Sequence, residues 1–261
     1  MIILAILAGA ITGIVLGLFG SGGSIIAMPA LMYLLHVEAK SAIAMSLGIV
    51  AVTATVSGWD NWRRGNVDIR IAAMFGLFGV IGTYGGARLG VHTPVALQLS
   101  LFAMVMYAAA WKMLHRKASA GAQLAGAGGP DIHVNENANL KAHMGHIAMH
   151  GIGVGILTGL VGVGGGFLIV PALVLLSHVP MKMAIGTSLV IVAAKSFAGF
   201  AGYMGAVPVD WELMGAFTAV TVAGSFAGTR IAHRFSQETL KHSFGVFLVI
   251  VASYILFKSV I

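Results

Sequence analysis

Two short stretches place unusual backbone chemistry in apolar surroundings: "GLFGSGGSIIAMPALMYLL" at 17–35 and "GLVGVGGGFLIVPALVLL" at 159–176. Glycine weakens a helix, and a proline follows each cluster, at Pro29 and Pro171. The pattern predicts an interrupted helix. The arm that restarts after each interruption begins with amides that lack intrahelical partners, and the positive end of its dipole points into the gap. Amides bared at Gly22, Gly23, Gly164, Gly165 and Gly166 can hold a small anion, because no side chain keeps the ligand off the backbone. Ser21 and Ser24 add hydroxyl donors in the first stretch. Val163 and Gly166 take their places in the second, which is left with backbone alone. A nucleotide-binding loop finds no support, since no Lys-Ser/Thr follows the glycines. Close helix packing is the competing use of glycine here. It suits the small-xxx-small pairs Gly13–Gly17 and Gly155–Gly159 better than the adjacent glycines.

Other side chains could join an anion site. Lys195 falls near the middle of "MKMAIGTSLVIVAAKSFAGFAGYM", where a charge is costly and therefore a functional candidate. Snorkelling to an interface, or pairing with a structural carboxylate, is the alternative. Ser46, Thr187 and Ser188 open the helices that follow the broken segments; their hydroxyls either meet a ligand or bond helix backbone. Arg88 and Arg230 lie near helix ends as gates or interfacial anchors, with Asp60, Asp68 and Asp210 as available counter-charges. His143, His146 and His150 share one helical face, a spacing that suits a metal. No carboxylate joins them, and a solvated face explains them as well. The chain has no cysteine, so neither a disulfide nor a thiolate metal site is available. No nucleophile, base and orienter set suggests an enzyme.

These groups need elements to hold them. The 261 residues are 58% hydrophobic and only 9% charged, whereas a soluble domain carries about 25% charged residues. So few charges cannot cover a water-facing surface, and several runs reach the roughly 20 apolar residues that cross a bilayer. An all-α integral membrane protein is expected. The net charge of +7 reads as topology and not as affinity for nucleic acid, because the basic residues fall between apolar runs. The opening run, "MIILAILAGAITGIVLGLFG", lacks a basic n-region and a cleavage site and reads as a retained membrane segment.

A shift of 142 residues superposes the two glycine stretches. Over residues 13–51, 21 of 39 positions are identical, including Pro29 with Pro171, His36 with His178 and Lys40 with Lys182. "GTYGGAR" (82–88) then meets "GSFAGTR" (224–230). The chain is two homologous halves, 1–114 and 142–261, joined by a small, polar, Gly-rich linker at 115–141. In the first half, helical segments are expected near 2–18, 24–35, 41–58, 69–90 and 94–114. In the second they are expected near 144–161, 167–177, 183–203, 211–231 and 237–257.

If each broken pair of arms makes one crossing, the halves are parallel and the basic residues divide 8 to 6 between the two faces. If each pair is a hairpin, every half crosses three times, the halves are inverted, and the division is 11 to 3. The positive-inside rule favours the second arrangement, with a cytoplasmic linker and both termini outside. A first arm of 17 or 18 residues then requires tilt, or a break beyond the midplane.

The paired glycine–proline motifs, followed by "AIAMSL" and "AIGTSL", resemble those of the TauE/SafE sulfite exporter family over nearly the whole chain. The resemblance implies a transporter of sulfite or small organosulfonates in a bacterial or archaeal cytoplasmic membrane. It implies no cofactor. On that reading both helix starts and Lys195 bind one small oxyanion near the midplane while the halves rock. A small inorganic or organosulfonate anion and membrane lipids are the expected partners, without nucleic acid; a homo-oligomer is compatible. A metal-cation carrier using the His face, and a scaffold without transport, are the other readings weighed.

Overall fold

The computed structural model describes residues 2–20, 23–115, 152–161, 169–170, 173, 179–232 and 234–260, and every structural statement below concerns these. Their regular structure is entirely helical. The first half contains α1 (Ile2–Phe19), α2 (Gly23–Pro29) running into a π-helical turn (Ala30–Leu34), α3 (Ala39–Arg63), α4 (Ile69–His92) and α5 (Val95–His115). The second contains α6 (Ile152–Val161), α7 (Met181–Tyr203), α8 (Trp211–Ala232) and α9 (Gln237–Val260). Four stretches are long and apolar enough to cross a membrane: Ala39–Arg63, Ile69–His92, Met181–Tyr203 and Glu238–Ile255. Residues 116–141 of the linker, the three histidines His143, His146 and His150, and the second glycine cluster at 162–166 lie outside the described residues.

The first predicted interruption is present. Gly20 adopts φ +71°, a left-handed conformation that glycine takes without a Cβ penalty, and its N–H donates to Leu16 O at 2.8 Å. This ends α1. The chain then doubles back, and α2 lies so close to α1 that a Cβ on Gly23 would fall 2.5 Å from Leu16 Cβ and 2.7 Å from Thr12 O. Pro29 removes one amide from the ladder. The π turn follows, closed by Leu35 N–H donating to Ala30 O at 3.2 Å. Ala30, Leu31 and Leu35 share a buried cluster with Ala8, so the return arm comes back level with the early turns of α1. The pair is a hairpin.

Repeat-related aspartates start the following spans. Asp68 Oδ1 accepts from Ile71 N–H at 3.0 Å at the head of α4, and Asp210 Oδ1 accepts from Leu213 N–H at 2.9 Å at the head of α8. The helix expected at 41–58 runs on to Arg63, because Gly58 alone does not stop it and Asn61 Nδ2 donates to Ser57 O at 2.9 Å within the last turns.

The halves are packed through each other. A Cβ on Gly13 would fall 2.1 Å from Thr221 O, and one on Gly17 would fall 2.1 Å from Ser225 O. Subtracting 142 from the partner and adding it to the glycine gives the second seam: Gly155 against Gly79 O at 2.7 Å, and Gly159 against Thr83 O at 2.0 Å. Thus α1 lies on α8 and α6 on α4, each arm against a span of the opposite half. The small-xxx-small glycines therefore serve backbone contact, as their spacing allows. The two sequence halves are not separately packed bodies.

The same contacts give helix directions. Along α1, residues 13 and 17 meet 221 and 225 in turn, so α1 and α8 are parallel. Gly48 faces Met214, and Ser57 Oγ donates to Ser225 Oγ at 2.8 Å, so α3 is parallel to α8. Gly58 faces Val190, while Leu47 faces Gly199, so α3 runs antiparallel to its repeat mate α7. Gly79 faces Lys195 and Thr83 faces Gly199, so α4 is parallel to α7.

Candidate functional site

The hairpin tip of the first half reaches across to the second. Ser188 Oγ lies 3.2 Å from Gly20 O and 2.8 Å from Ile185 O, and a Cβ on Gly20 would collide with both Ser188 Oγ and Ile185 O at 2.7 Å. The tip is thus held against the first turns of α7 by backbone closeness and one hydroxyl. Thr187, the next residue, accepts the N–H of Asp68 at 2.9 Å and ties the α3–α4 turn to the same place. Ser46 Oγ donates to Ile43 O at 2.8 Å, the repeat counterpart of the Ser188–Ile185 bond. All three hydroxyls engage backbone. Ser21 and Gly22 lie outside the described residues, as do Gly164, Gly165 and Gly166; Ser24 is within α2, but its side chain is not described.

The end of α6 sits at the other end of α7. Leu160 O accepts from Tyr203 Oη at 3.1 Å and from Gln98 Nε2 at 2.9 Å. From Ser188 to Tyr203 is 15 residues, roughly 22 Å of helix. The ends of the two first arms therefore approach α7 at opposite ends of its length. The start of the second short arm lies outside the described residues. The level of the first tip, beside the last turns of α3, also explains how an 18-residue arm fits: its break lies beyond the middle of the span.

Lys195 lies between these ends, about 10 Å along the helix from Ser188 and about 12 Å from Tyr203. Seven residues separate it from Ser188, so both occupy one face of α7. It is only 1% exposed. Among the described residues it has neither an ion pair nor a hydrogen bond, and the ion pair formed there joins Arg64 to Asp60 at 2.9 Å. No carboxylate among the described residues meets it, and its burial shows no exposed head group. Room for its stem comes from Gly79 on α4, where a Cβ would fall 2.8 Å from Lys195 Cδ. The repeat mates are Thr53 and Thr221, whose hydroxyls donate to their own helices at 2.8 and 2.7 Å. Across the two halves, glycine and lysine stand where the repeat-related positions carry two threonines.

Three residues escaped the sequence reading. Gly79 is visible only once α4 is laid on α7. Thr12 Oγ1 and Ser196 Oγ are buried without a hydrogen-bond partner, Thr12 beside the hairpin and Ser196 next to Lys195 in the chain. A lone hydroxyl in an apolar helix carries no sequence signal that separates it from one bonded to its own backbone.

The arginines and aspartates divide differently from the expectation. Arg88 and Arg230 are exposed near the ends of α4 and α8. Arg88 donates to Tyr84 Oη at 3.2 Å and lies over the Tyr84 ring. Asp60 pairs with Arg64, while Asp68 and Asp210 cap helices, so none of the three carboxylates serves Arg88 or Arg230.

A cavity of about 670 Å³ opens among α3, α4 and α7. Its walls are apolar, formed by residues such as Ala54, Gly58, Trp59, Leu77 and Val190, and none of the candidate anion ligands lines it. It is a different feature from the face of α7 that carries Ser188 and Lys195.

Comparison with known proteins places this architecture. The sulfite exporter TauE/SafE family model matches residues 5–255. A probable membrane transporter protein of Xylella fastidiosa (strain 9a5c) is 31% identical over 265 residues, covering 99% of this chain and 96% of its own. The probable membrane transporter protein YdhB of Bacillus subtilis (strain 168) is 25% identical, covering 91% and 93%. A third, MJ0441 of Methanocaldococcus jannaschii, is 24% identical, covering 77% and 72%. No solved structure matches the chain.

Proposed function

Starting from the fact that this chain belongs to the sulfite exporter TauE/SafE family, we propose that it is a secondary transporter exporting a small sulfur oxyanion, sulfite or an organosulfonate, by alternating access. The observation that carries this reading is Lys195, buried in a membrane-spanning helix with no carboxylate against it among the described residues. A buried cation without a partner is strongly unfavourable, and a transient anionic solute supplies the missing charge. The stem fits only because α4 offers Gly79 at that level.

The glycine breaks would act toward the two ends of α7, with Lys195 between them. Each tip would meet the solute from its own side of the membrane through freed amides of the broken segment, and Lys195 would receive it between them. Arg88 and Arg230 would stand outside as guiding charges at opposite mouths. The antiparallel course of α3 and α7, which are repeat mates, supports inverted halves. So does the distribution of charge: Arg63, Arg64, Arg70, Lys182, Arg230 and Arg234 fall at one end of the bundle, Lys40 and Arg88 at the other. The crowded end is the cytoplasmic one by the positive-inside rule, with the 115–141 linker on that side and the termini outside, in a bacterial or archaeal cytoplasmic membrane.

The test is flux of labelled sulfite from proteoliposomes containing the purified chain. Release above protein-free vesicles, reduced by unlabelled sulfonate, is expected. Absence of flux with sulfite and with every small sulfonate tried would overturn the substrate assignment.

A further inference from the structure

The apolar cavity among α3, α4 and α7 ends in charge. Along α3, Thr55 and Trp59 line it at four-residue spacing, and Arg63 continues the same row one turn beyond. Along α4, Ala73 and Leu77 line it, and Arg70 lies one turn before Ala73 on the same face. Arg64 is engaged by Asp60, whereas Arg63 and Arg70 form no ion pair among the described residues. Trp59 and Trp62 pack edge to face at 4.9 Å beside this basic end, 58% and 46% exposed, as interfacial aromatics are. The lining of α4 runs from Ile69 to Val80, roughly 16 Å, which is close to half of a hydrocarbon layer about 30 Å thick.

We propose that this groove is a binding site for a phospholipid with an anionic headgroup, one acyl chain lying among α3, α4 and α7 and the phosphate held by Arg63 and Arg70. An apolar trough one leaflet deep, roofed at its interfacial end by tryptophan and closed by two free guanidinium groups, matches that molecule in length, polarity and charge. The basic end is the one that charge distribution assigns to the cytoplasm, where anionic lipid accumulates. A second copy of the chain would also cover apolar surface, but the two unpaired arginines would meet their own symmetry mates or bare lipid and would remain uncompensated.

Native mass spectrometry of the purified full-length chain in detergent, titrated with phosphatidylglycerol or phosphatidylcholine of identical acyl chains, tests the site. A roughly tenfold preference for phosphatidylglycerol is expected, falling to near parity in the Arg63→Gln/Arg70→Gln double variant. Gly76→Leu should reduce retention of both lipids: Gly76 lines the groove, and a Cβ there meets nothing within 4 Å, so the substitution fills space without forcing backbone apart. Equal binding of the two lipids by the unmodified chain overturns the proposal even if no variant folds. So does a dimer that Gly76→Leu dissociates, because the occupant would then be a second copy.

Discussion

A cation inside a membrane span has to find its counter-charge in the protein, in the solute, or in loss of its own proton. Lys195→Met keeps the unbranched stem, one atom shorter, and removes the charge. Anion flux in proteoliposomes is expected to fall about tenfold or more, since charged hydrogen bonds contribute about 1.5–3 kcal/mol. Thermal stability in detergent should hold or rise, because an uncompensated buried charge is removed. Loss of flux together with collapse of stability would return Lys195 to a structural role. Gly79→Ala tests the same contact from the other side. Its Cβ would meet the Lys195 stem at 2.8 Å, so flux should drop in the parent chain. In a Lys195→Ala background the substitution should cease to matter for stability, a coupling readable as a double-mutant cycle of about 0.5–3 kcal/mol. Lys195 was legible in the sequence because a charge in an apolar run is conspicuous. Gly79 was not, since one glycine among 36 declares its purpose only when the neighbouring helix is in place.

At the level of elements, the glycines sort by what surrounds them. Gly13→Ala and Gly159→Ala would push a Cβ to 2.1 and 2.0 Å from carbonyl oxygens of α8 and α4, and backbone cannot swing aside as a side chain does. Each should cost at least about 1–3 kcal/mol in denaturation measured in detergent. Gly215→Ala, on the same α8 but with nothing within 4 Å, should be neutral or gain about 0.5–1 kcal/mol. Equal effects at all three sites would refute the seam. The helices themselves were readable from apolar run length, and Gly20 with Pro29 correctly marked an interruption. What the pattern could not supply was the partner of each arm: hydropathy says that a segment is in the membrane and not which span it lies against. The α3 terminus was misjudged for a related reason. "WDNWR" is polar enough to suggest a loop, yet it contains no residue that stops a helix.

For the whole molecule the decisive question is the relation of the halves. His92 and Arg234 are repeat mates 142 residues apart, both exposed beyond or at the ends of their spans, and the chain has no cysteine to give background. Single His92→Cys and Arg234→Cys variants in intact cells should differ: a membrane-impermeant maleimide labels the first, and the second reacts only after the membrane is opened. Parallel halves would make the two react alike. The exchange of arms bears on motion as well. Each arm is clamped by backbone-to-backbone contact to the other repeat, so a joint along the boundary left by duplication would have to break both seams. On the alternating-access reading, the moving body would be a composite, one hairpin travelling with the spans of its twin. A chain severed within 115–141 would yield two pieces, each missing a strip of its own interior, that are complete only when they find one another.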